Sequence, residues 1–170
     1  MSNVYSITPI ILAAGEGKRM YSKVPKVLHK VCGIPMVEHV INCAREISGE
    51  EPVVVIGHGA EQVRKEVTGV KFVMQERQLG TGHAVMQAEN YINDGDILIL
   101  YGDTPLLQPE TLSEMHEMHR AEGCSATILT SDIDDPTGYG RVIRIGEKLI
   151  EAIVEDKDAD SSTKLIKEIN

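Results

Sequence analysis

The sequence lacks the features of a membrane-spanning or secreted protein. No apolar run approaches the ~20 residues that a membrane-spanning helix requires. Residues 1–5 contain neither a basic segment nor an apolar one, so we expect no secretory signal. The three cysteines, Cys32, Cys43 and Cys124, are too widely spaced for a zinc motif or a disulfide framework. These absences predict buried or free thiols in a protein of the reducing cytoplasm.

Positive charge is also scarce. The chain has 17 Lys and Arg residues against 26 Asp and Glu residues, for a net charge of −9. This balance argues against a nucleic-acid partner, which usually meets a basic face. The 170 residues, 42% of them hydrophobic, suffice for one domain with a core. Because the net charge is negative, binding of an anionic substrate would require local positive potential from backbone dipoles, a few Lys or Arg side chains, or a divalent cation.

Two common catalytic arrangements are missing as well. No Ser/His/Asp or Cys/His arrangement stands out, so the sequence does not indicate covalent catalysis. His116 and His119 are three residues apart on a predicted helix, whereas a zinc-binding helix uses His-Glu-x-x-His. We expect these two side chains to lie on an exposed helix face. The other four histidines show no pairing that predicts a site.

The most informative stretch runs from Ile10 to Met20. Residues 10–14 are apolar and predict a strand that is buried on both faces. The chain then enters a loop with two glycines, Gly15 and Gly17, followed by two bases, Lys18 and Arg19. Glycines allow the backbone to approach a ligand, and successive N–H groups can form an anion site. The pattern predicts a phosphate-binding loop, with an ordinary strand-to-helix turn as the alternative.

This loop differs from two better-known phosphate loops. A P-loop requires Gly, four residues and then Gly-Lys-Ser/Thr, which Gly15 to Lys18 does not supply. A dinucleotide-binding loop requires G-x-G-x-x-G, but Gly17 is followed by Met20 at the third glycine position. Neither a P-loop enzyme nor a dinucleotide-dependent dehydrogenase is therefore predicted.

Strand-like and helix-like segments alternate along the chain. This alternation predicts an α/β fold: a Rossmann-like, mostly parallel sheet with flanking helices. After the first strand we expect strands at 52–56, 70–74, 97–101 and 126–130, and helices at 36–47, 60–67, 83–91 and 109–122. A β-hairpin is expected near 139–154, with a turn at Gly146 and Glu147, and such a flap could cover a substrate.

Three loops that follow predicted strands contain residues suited to phosphate chemistry. They are residues 15–19, 75–82 and 102–105. Right-handed crossovers place the ends of parallel strands on one edge of a sheet, so these loops can converge on one cleft. Asp103 in the third loop offers a hard oxygen ligand for Mg²⁺, although an Asp in a simple turn is the alternative.

Four motifs together resemble one enzyme family. The pattern Leu12-Ala13-Ala14-Gly15-x-Gly17-x-Arg19-Met20, with Pro25-Lys26 after it, resembles the signature of sugar-phosphate nucleotidyltransferases. Residues 75–84, 101–106 and 135–141 make the resemblance more specific. They are similar to the uridylyltransferase domain of bifunctional N-acetylglucosamine-1-phosphate uridylyltransferase/glucosamine-1-phosphate acetyltransferases. The resemblance covers the whole chain.

The resemblance implies a reaction between UTP and N-acetylglucosamine 1-phosphate, giving UDP-N-acetylglucosamine and pyrophosphate for peptidoglycan and lipopolysaccharide synthesis. It assigns Arg19 to the transition state, Lys26 to substrate phosphate and Asp103 to the catalytic Mg²⁺. It places Gln75 with Gly80 and Thr81 around the base. The implied nucleotide- and sugar-binding residues are Leu12, Ala13, Ala14, Gly15, Lys26, Gln75, Gly80, Thr81, Tyr101, Gly102, Gly140, Glu155 and Asn170.

The chain departs from the family pattern at its end. It stops at Asn170, whereas the family continues with the rest of the uridylyltransferase domain and a β-helix acetyltransferase domain that makes the family trimeric. We therefore expect residues 1–170 to be a partial uridylyltransferase domain. Two alternatives remain open at this stage: a nucleotidyltransferase that uses CTP, GTP or dTTP with another acceptor, and a non-catalytic nucleotide-binding module.

Overall fold

The computed structural model describes residues 6–17 and 20–170, which fall into two compact units. The first unit extends to Ser113 and the second comprises Glu114–Asn170. The sequence analysis treated the chain as one partial domain, and each unit is described here by itself. Within the described residues, no helix has the length and the apolar content needed to cross a lipid bilayer.

The first unit alternates strands and helices, as the sequence pattern predicts. Its strands are β1 (Ile7–Ala13), β2 (Lys30–Val31), β3 (Ile34–Pro35), β4 (Val53–Ile56), β5 (Lys71–Met74) and β6 (Asp96–Tyr101). Its helices are α1 (Met36–Ser48), α2 (Ala60–Glu66) and α3 (Thr81–Met86), with single 3₁₀ turns at Lys26–Leu28 and Glu89–Tyr91. Helix α4 (Pro109–Glu122) contains the boundary between the two units.

Four of these strands form a parallel sheet in the order β5-β4-β1-β6. All four residues of β4 are buried, and β1 is buried along almost its whole length. Burial on both faces is why these strands are continuous apolar runs rather than alternating ones. Each fully buried Val or Ile side chain contributes about 1.5–3 kcal/mol relative to exposure. The parallel α/β sheet predicted from the sequence is confirmed.

Helices cover the central strands of this sheet. Ala84 and Ala88 pack on the face of the sheet formed by Ile10, Leu12, Val53 and Val55. Helix α1 also contacts β1 and buries the side chains Val37, Val40, Ile41, Cys43 and Ala44. Their spacing of three and four residues produces one apolar stripe on the helix.

Local signals set the ends of helix α1. Pro35 precedes its first turn, where a missing N–H costs nothing. Gly49 ends it in the left-handed conformation, with φ of 66°, and its N–H donates to the carbonyl of Arg45 at 2.8 Å. All three cysteines are free thiols, and burial raises the pKa of the Cys43 thiol on this helix, with a further contribution from Glu46 and Glu110.

The second unit holds a small antiparallel sheet. Its strands are β7 (Ser131–Asp132), β8 (Arg141–Ile145), β9 (Leu149–Val154) and β10 (Glu168–Ile169), with a 3₁₀ turn at Thr163–Leu165. They pair in the order β7-β10-β8-β9. Strands β8 and β9 form the predicted hairpin, and Gly146 turns the chain between them with φ of 69°. The hairpin prediction is therefore confirmed.

Two of the predicted elements were wrong in detail. Residues 126–130 form no strand, although their β-branched and apolar side chains favour one; Ile128 and Leu129 are exposed, and pairing begins only at Ser131. Intrinsic strand preference does not make a strand without a ladder partner and a surface to pack on. The helix predicted at 83–91 starts at Thr81 and ends at Met86, and the chain continues into a 3₁₀ turn.

A partly exposed ion pair between Arg144 and Glu168 stabilises the second unit in a pH-dependent way. Glu168 accepts hydrogen bonds from Arg144 Nε at 2.7 Å, Arg144 Nη2 at 2.5 Å and Thr130 Oγ1 at 2.6 Å. The bonds from Arg144 and then Thr130 lower the pKa of Glu168 to about 2. An unfolded glutamate has a pKa of about 4.3. The stabilisation is therefore fully present above about pH 4.3 and is lost as the pH falls through 2.

We expect the variant Glu168→Gln to be less stable than the natural chain at pH 7, because it loses the charged acceptor for Arg144. This difference in the free energy of unfolding should shrink as the pH falls from about 4.3 towards 2. Urea unfolding at pH 7, 4 and 3 measures it. The control is Glu151→Gln on the exposed side of β9. A Glu168→Gln difference that stays constant over this pH range would contradict the assignment.

Candidate active site

The candidate site lies where the strand order of the parallel sheet reverses. After β1, the chain builds β4 and β5 on one side of it, and β6 then pairs on the other side. The loops that follow β1 and β6 therefore diverge and leave a crevice at the carboxyl edge of the sheet. Open α/β sheets bind their ligands at this position. Residues Ala14–Gly17 follow β1 at this edge, and residues Gly102 and Asp103 follow β6.

The glycine loop after β1 lies directly against Lys26. Gly17 has a φ of 60°, in the region that favours glycine. A Cβ added to Gly17 would lie 2.7 Å from Cβ of Lys26, too close for any other residue to fit unchanged. Gly15 has open space around it. The next two residues of the predicted phosphate loop, Lys18 and Arg19, lie outside the described residues.

Lys26 and Asp103 form an ion pair across this crevice. Nζ of Lys26 contacts Oδ2 of Asp103, and both side chains keep partial exposure, 37% and 28%. Lys26 begins a 3₁₀ turn after Pro25, and the buried side chains of Val27 and Leu28 anchor that turn. The pair therefore lies at the surface, beside an anchored turn, where water and ligands can reach both charges.

Asp103 is placed by the backbone just before it. The N–H of Gly102 donates to the carbonyl of Leu12 at 2.9 Å, which extends the pairing of β6 with β1 beyond the strand. A Cβ on Gly102 would lie 3.2 Å from that carbonyl oxygen and 3.3 Å from a methyl group of Val27. A glycine is therefore needed for this close approach. Thr104 Oγ1 donates to the carbonyl of Tyr101 at 2.7 Å and closes the turn.

The loop after β5 contributes Gln75. Its backbone N–H donates to the carbonyl of Ile56 at 2.8 Å, so Gln75 continues the sheet although β5 ends at Met74. Its side chain is only 4% exposed. Nε2 lies 3.2 Å from the carbonyl oxygen of Gly80 and 3.1 Å from Nδ1 of His83. Gly80 and Thr81 lie close by and are exposed at the start of α3.

The loops after β1, β4 and β5 are tied together at Ala14. The N–H of His58 donates to the carbonyl of Ala14 at 3.2 Å, and Nε2 of Gln78 lies 3.5 Å from the same oxygen. A Cβ on Gly57 would lie 2.9 Å from Nε2 of Gln78 and 3.0 Å from Cβ of Ala14. The close packing of these loops confirms that they converge at one edge of the sheet.

In the second unit, strand register brings three of the predicted sugar-binding residues together. Arg141 pairs with Val154 in one ladder and with Ile169 in the other. One residue further along, Gly140 therefore faces Glu155 on one side and Asn170 on the other. A Cβ on Gly140 would lie 2.5 Å from Oδ1 of Asn170, so the side chain of Asn170 lies directly against Gly140.

Comparison with known proteins identifies the family. The MobA-like NTP transferase domain matches residues 9–168. The chain belongs to this family. It is 53% identical over 163 residues to the protein named bifunctional protein GlmU of Alkaliphilus metalliredigens. That alignment covers 95% of this chain and 36% of the relative, so the chain spans about a third of the relative's length. The resemblance carried by the four sequence motifs is confirmed.

Solved structures of nucleotidyltransferases share the fold of this NTP transferase domain. One is described as a putative glucose-1-phosphate thymidylyltransferase from Bacillus anthracis, with a TM-score of 0.79 at 22% sequence identity. The superposition covers 96% of this chain and 68% of the Bacillus chain. Another is a UDP-glucose pyrophosphorylase complexed with UDP-glucose, with a TM-score of 0.75 at 19% sequence identity. That superposition covers 96% of this chain and 73% of the pyrophosphorylase chain. The predicted fold class is confirmed by both.

The structure of this NTP transferase domain places the predicted residues in two groups. Those of the first unit lie at the carboxyl edge of its sheet: Leu12, Ala13, Ala14, Gly15, Lys26, Gln75, Gly80, Thr81, Tyr101, Gly102 and Asp103. Those of the second unit lie at one end of its small sheet: Gly140, Glu155 and Asn170. Arg19, the predicted transition-state residue, lies outside the described residues. Leu12, Ala13 and Ala14 are buried.

Sequence analysis missed the role of His83. It predicted no pairing for this histidine, but the side chain lies between two amides, those of Gln75 and Gln87. Gln87 is four residues away on the same helical stretch, which is a signal that spacing could have supplied. Gly80, with a φ of 103°, lies between β5 and α3, immediately before the helix that carries His83.

Two glycines in the phosphate loop give a matched pair of variants. We expect Gly17→Ala to destabilise the fold by about 1 kcal/mol or more, since an L residue at this φ is strained. Its new methyl group would also displace Lys26. Gly15→Ala should leave the unfolding free energy almost unchanged, because its Cβ meets no atom within 4 Å. Urea unfolding of both variants measures the difference, and equal stability would contradict the described loop.

Proposed function

We propose that the chain transfers a uridylyl group from UTP to N-acetylglucosamine 1-phosphate and releases pyrophosphate. The observation that carries the proposal is the Lys26–Asp103 pair beside a glycine loop at the point where the strand order reverses. At this position Lys26 can bind phosphate, and the carboxylate of Asp103 can bind a metal ion. The 53% identity to a bifunctional protein GlmU supports the specific substrates, since the four motifs resemble its uridylyltransferase family.

The reaction is an in-line displacement without a covalent enzyme intermediate. A phosphate oxygen of the sugar phosphate attacks the α-phosphorus of UTP and forms the new P–O bond. The bond between the α-phosphorus and the oxygen bridging to the β-phosphorus breaks, and pyrophosphate leaves with that electron pair. Negative charge on the transferring group must be met by fixed donors. Lys26 and the N–H groups of Gly15 and Gly17 supply them, with Arg19 as the proposed transition-state residue.

Asp103 fits a magnesium ion that is held mainly by substrate. Among residues 6–17 and 20–170, no cluster of three or more His, Cys, Asp or Glu side chains could hold a metal. Mg²⁺ in phosphoryl-transfer sites takes one or two carboxylates, with phosphate oxygens and waters as the remaining ligands. One accessible carboxylate therefore suits it. When bound, the ion would neutralise phosphate charge, while Lys26 orients the phosphates.

The remaining residues divide into a base subsite and a sugar subsite. We propose that Gln75, Gly80 and Thr81 hold the uracil, and that Tyr101 and Gly102 lie near the sugar and metal. Tyr101 is 48% exposed and so available to a ligand. Gly140, Glu155 and Asn170 form the proposed subsite for the N-acetylglucosamine group. Their juxtaposition by strand register supports this assignment.

The wider context is also a proposal. From the family resemblance, we propose that residues 1–170 are a partial uridylyltransferase domain, and that acetyl transfer and assembly into trimers belong to family segments outside this sequence. Synthesis of UDP-N-acetylglucosamine for cell-wall components would place the reaction in the cytoplasm. The proposed partners are UTP and N-acetylglucosamine 1-phosphate.

A second candidate is a related transferase with another nucleotide. The fold similarity to a putative glucose-1-phosphate thymidylyltransferase favours keeping this alternative. The two are separated by incubating the chain with Mg²⁺, each of UTP, CTP, GTP and dTTP, and either N-acetylglucosamine 1-phosphate or glucose 1-phosphate. Mass spectrometry identifies the nucleotide sugar formed. The proposal predicts UDP-N-acetylglucosamine as the main product, and dTDP-glucose as the main product would replace it with the alternative.

A further inference from the structure

Arg141 is a buried cation at the start of β8, next to the proposed subsite for the sugar. Its side chain is only 2% exposed, and Gly140 directly precedes it in the chain. Nη1 donates to the carbonyl oxygen of Tyr139, and Nη2 donates to Oδ1 of Asp156 at 3.0 Å. One guanidinium therefore connects the residue before Gly140 with the residue after Glu155.

This connection lies where the strand ladders of the second unit end. Strand β8 begins at Arg141, while β9 and β10 end at Val154 and Ile169, so each residue of the proposed subsite lies one position beyond a strand. Backbone beyond the end of a ladder opens more easily than the strands themselves. The two charge-assisted hydrogen bonds of Arg141 hold this end of the sheet together.

The guanidinium is not the most stable way to fill this space. Nε of Arg141 is buried and has no hydrogen-bond partner among residues 6–17 and 20–170. An unpaired buried N–H is a net cost to the fold. Replacing a buried ion pair by apolar side chains of similar size is often neutral or stabilising. Residues that break such a rule are expected near functional sites, where they serve the site rather than the core.

We infer that Arg141 is a positioning residue for sugar binding, because its guanidinium fixes the backbone of Gly140 relative to that of Glu155. The inference rests on the proposed function, which places the N-acetylglucosamine group against these residues. The buried side chain acts through the two segments that it connects. Hydrogen bonds weaken steeply with poor geometry, so loosening these segments lowers affinity for the sugar. Affinity for the nucleotide part, whose proposed subsite belongs to the first unit, is unaffected.

The test compares UDP-N-acetylglucosamine with the β-methyl ester of UDP, which carries the same charge and has a methyl group in place of the sugar. Isothermal titration in Mg²⁺ gives two dissociation constants, and their ratio measures the contribution of the sugar. For the natural chain we expect the sugar to improve binding at least ~10-fold, the size of one hydrogen bond to a charged group such as Glu155.

In Arg141→Met the contribution of the sugar should fall about 3- to 10-fold, while affinity for the methyl ester stays within about twofold. Met fills the space with an unbranched apolar side chain, so urea unfolding should show a folded variant. Arg141→Lys keeps the buried cation but has one nitrogen in place of the fork, so it should also reduce the contribution of the sugar. This second variant decides the question if Arg141→Met does not fold.

The control for loss of an ion pair is Lys148→Met. Lys148 contacts Glu122 and lies at the hairpin turn, at the opposite end of β8 from Gly140. Its ratio should equal that of the natural chain, and an equal fall would contradict a specific role for Arg141. An unchanged ratio in both Arg141 variants, with the sugar still improving binding by the natural chain, overturns the role of Arg141 alone.

The behaviour of the natural chain separates this inference from the proposed function. Equal binding of UDP-N-acetylglucosamine and the methyl ester overturns the sugar subsite at Gly140 and the inference with it, while the nucleotide site stands. Failure to bind either ligand overturns the proposed function as well.

Discussion

Asp103→Asn should reduce turnover roughly 10³-fold or more while the chain stays folded, because fixed charge at the phosphates supplies most of the catalysis in this reaction class. The substitution keeps the size of the side chain but removes its negative charge and one good metal ligand. Asp103 is partly exposed, and a pair of this kind contributes at most about 1 kcal/mol to stability. Loss of activity should therefore not reflect unfolding. Steady-state turnover and urea unfolding, measured on the same preparation, test both statements.

The matched control for Asp103→Asn is Asp94→Asn. Asp94 is exposed and precedes β6, at the end of the sheet opposite to Asp103. Its replacement should leave turnover within about twofold of the natural chain, as expected for a surface change remote from the site. If Asp103→Asn turned over substrate at a nearly normal rate, Asp103 would have no role in catalysis.

Lys26→Ala should weaken binding of UTP about 10- to 100-fold, the range expected for loss of one charge-assisted hydrogen bond. Nζ of Lys26 already reaches Asp103 in the free chain, so it stands within the crevice that the phosphates would enter. The side chain is also fixed at its base, where Cβ packs against Gly17. Lys26→Arg should recover only part of the affinity, because a planar guanidinium does not reproduce a compact ammonium at a restricted site.

Lys71→Ala serves as the control for loss of a lysine. Lys71 begins β5 at the amino edge of the sheet, and its exposed side chain lies 5.9 Å from the ring of Tyr91. We expect UTP affinity to stay within about twofold in this variant, since salt screens an exposed charge at the amino edge of the sheet, away from Lys26. Isothermal titration with UTP in Mg²⁺ measures both variants. An equal loss of affinity in the two would show that general charge, rather than the position of Lys26, governs binding.

The main strands of the sheet could be predicted because burial on both faces leaves a direct mark on the sequence. Residues 10–14 and Val53–Ile56 are continuous apolar runs, which are typical of strands covered on both faces. Helix α1 was predictable for the same kind of reason, since Pro35 and Gly49 mark its two ends. Local sequence sufficed to predict these elements because the surrounding structure favours the same conformation as the local signals do.

The order of the strands was beyond the reach of such local signals. Nothing within β6 shows that it pairs with β1 rather than with its nearest predecessor β5, because the choice depends on the path of the crossover. That choice creates the crevice in which Lys26 meets Asp103. The predicted site residues came instead from motif resemblance, which carries no information on how the strands are ordered.

Contacts that depend on register were equally hidden. Gly140, Glu155 and Asn170 meet because two ladders share Arg141, and a shift of one residue in either ladder would separate them. The expected strand at 126–130 failed for a related reason: its side chains favour a strand, but pairing starts only at Ser131. Pairing partners, which lie far away in the chain, decide both cases.

The most direct test of this account is pyrophosphate release by the 170-residue chain. The assay contains Mg²⁺ and UTP, with and without N-acetylglucosamine 1-phosphate, and Asp103→Asn is run beside it. We expect release only when both substrates are present, and its loss in the variant. Release from UTP without the sugar phosphate would show a hydrolase instead. Tight binding of UTP with no release under any condition would contradict transfer and favour a nucleotide-binding module.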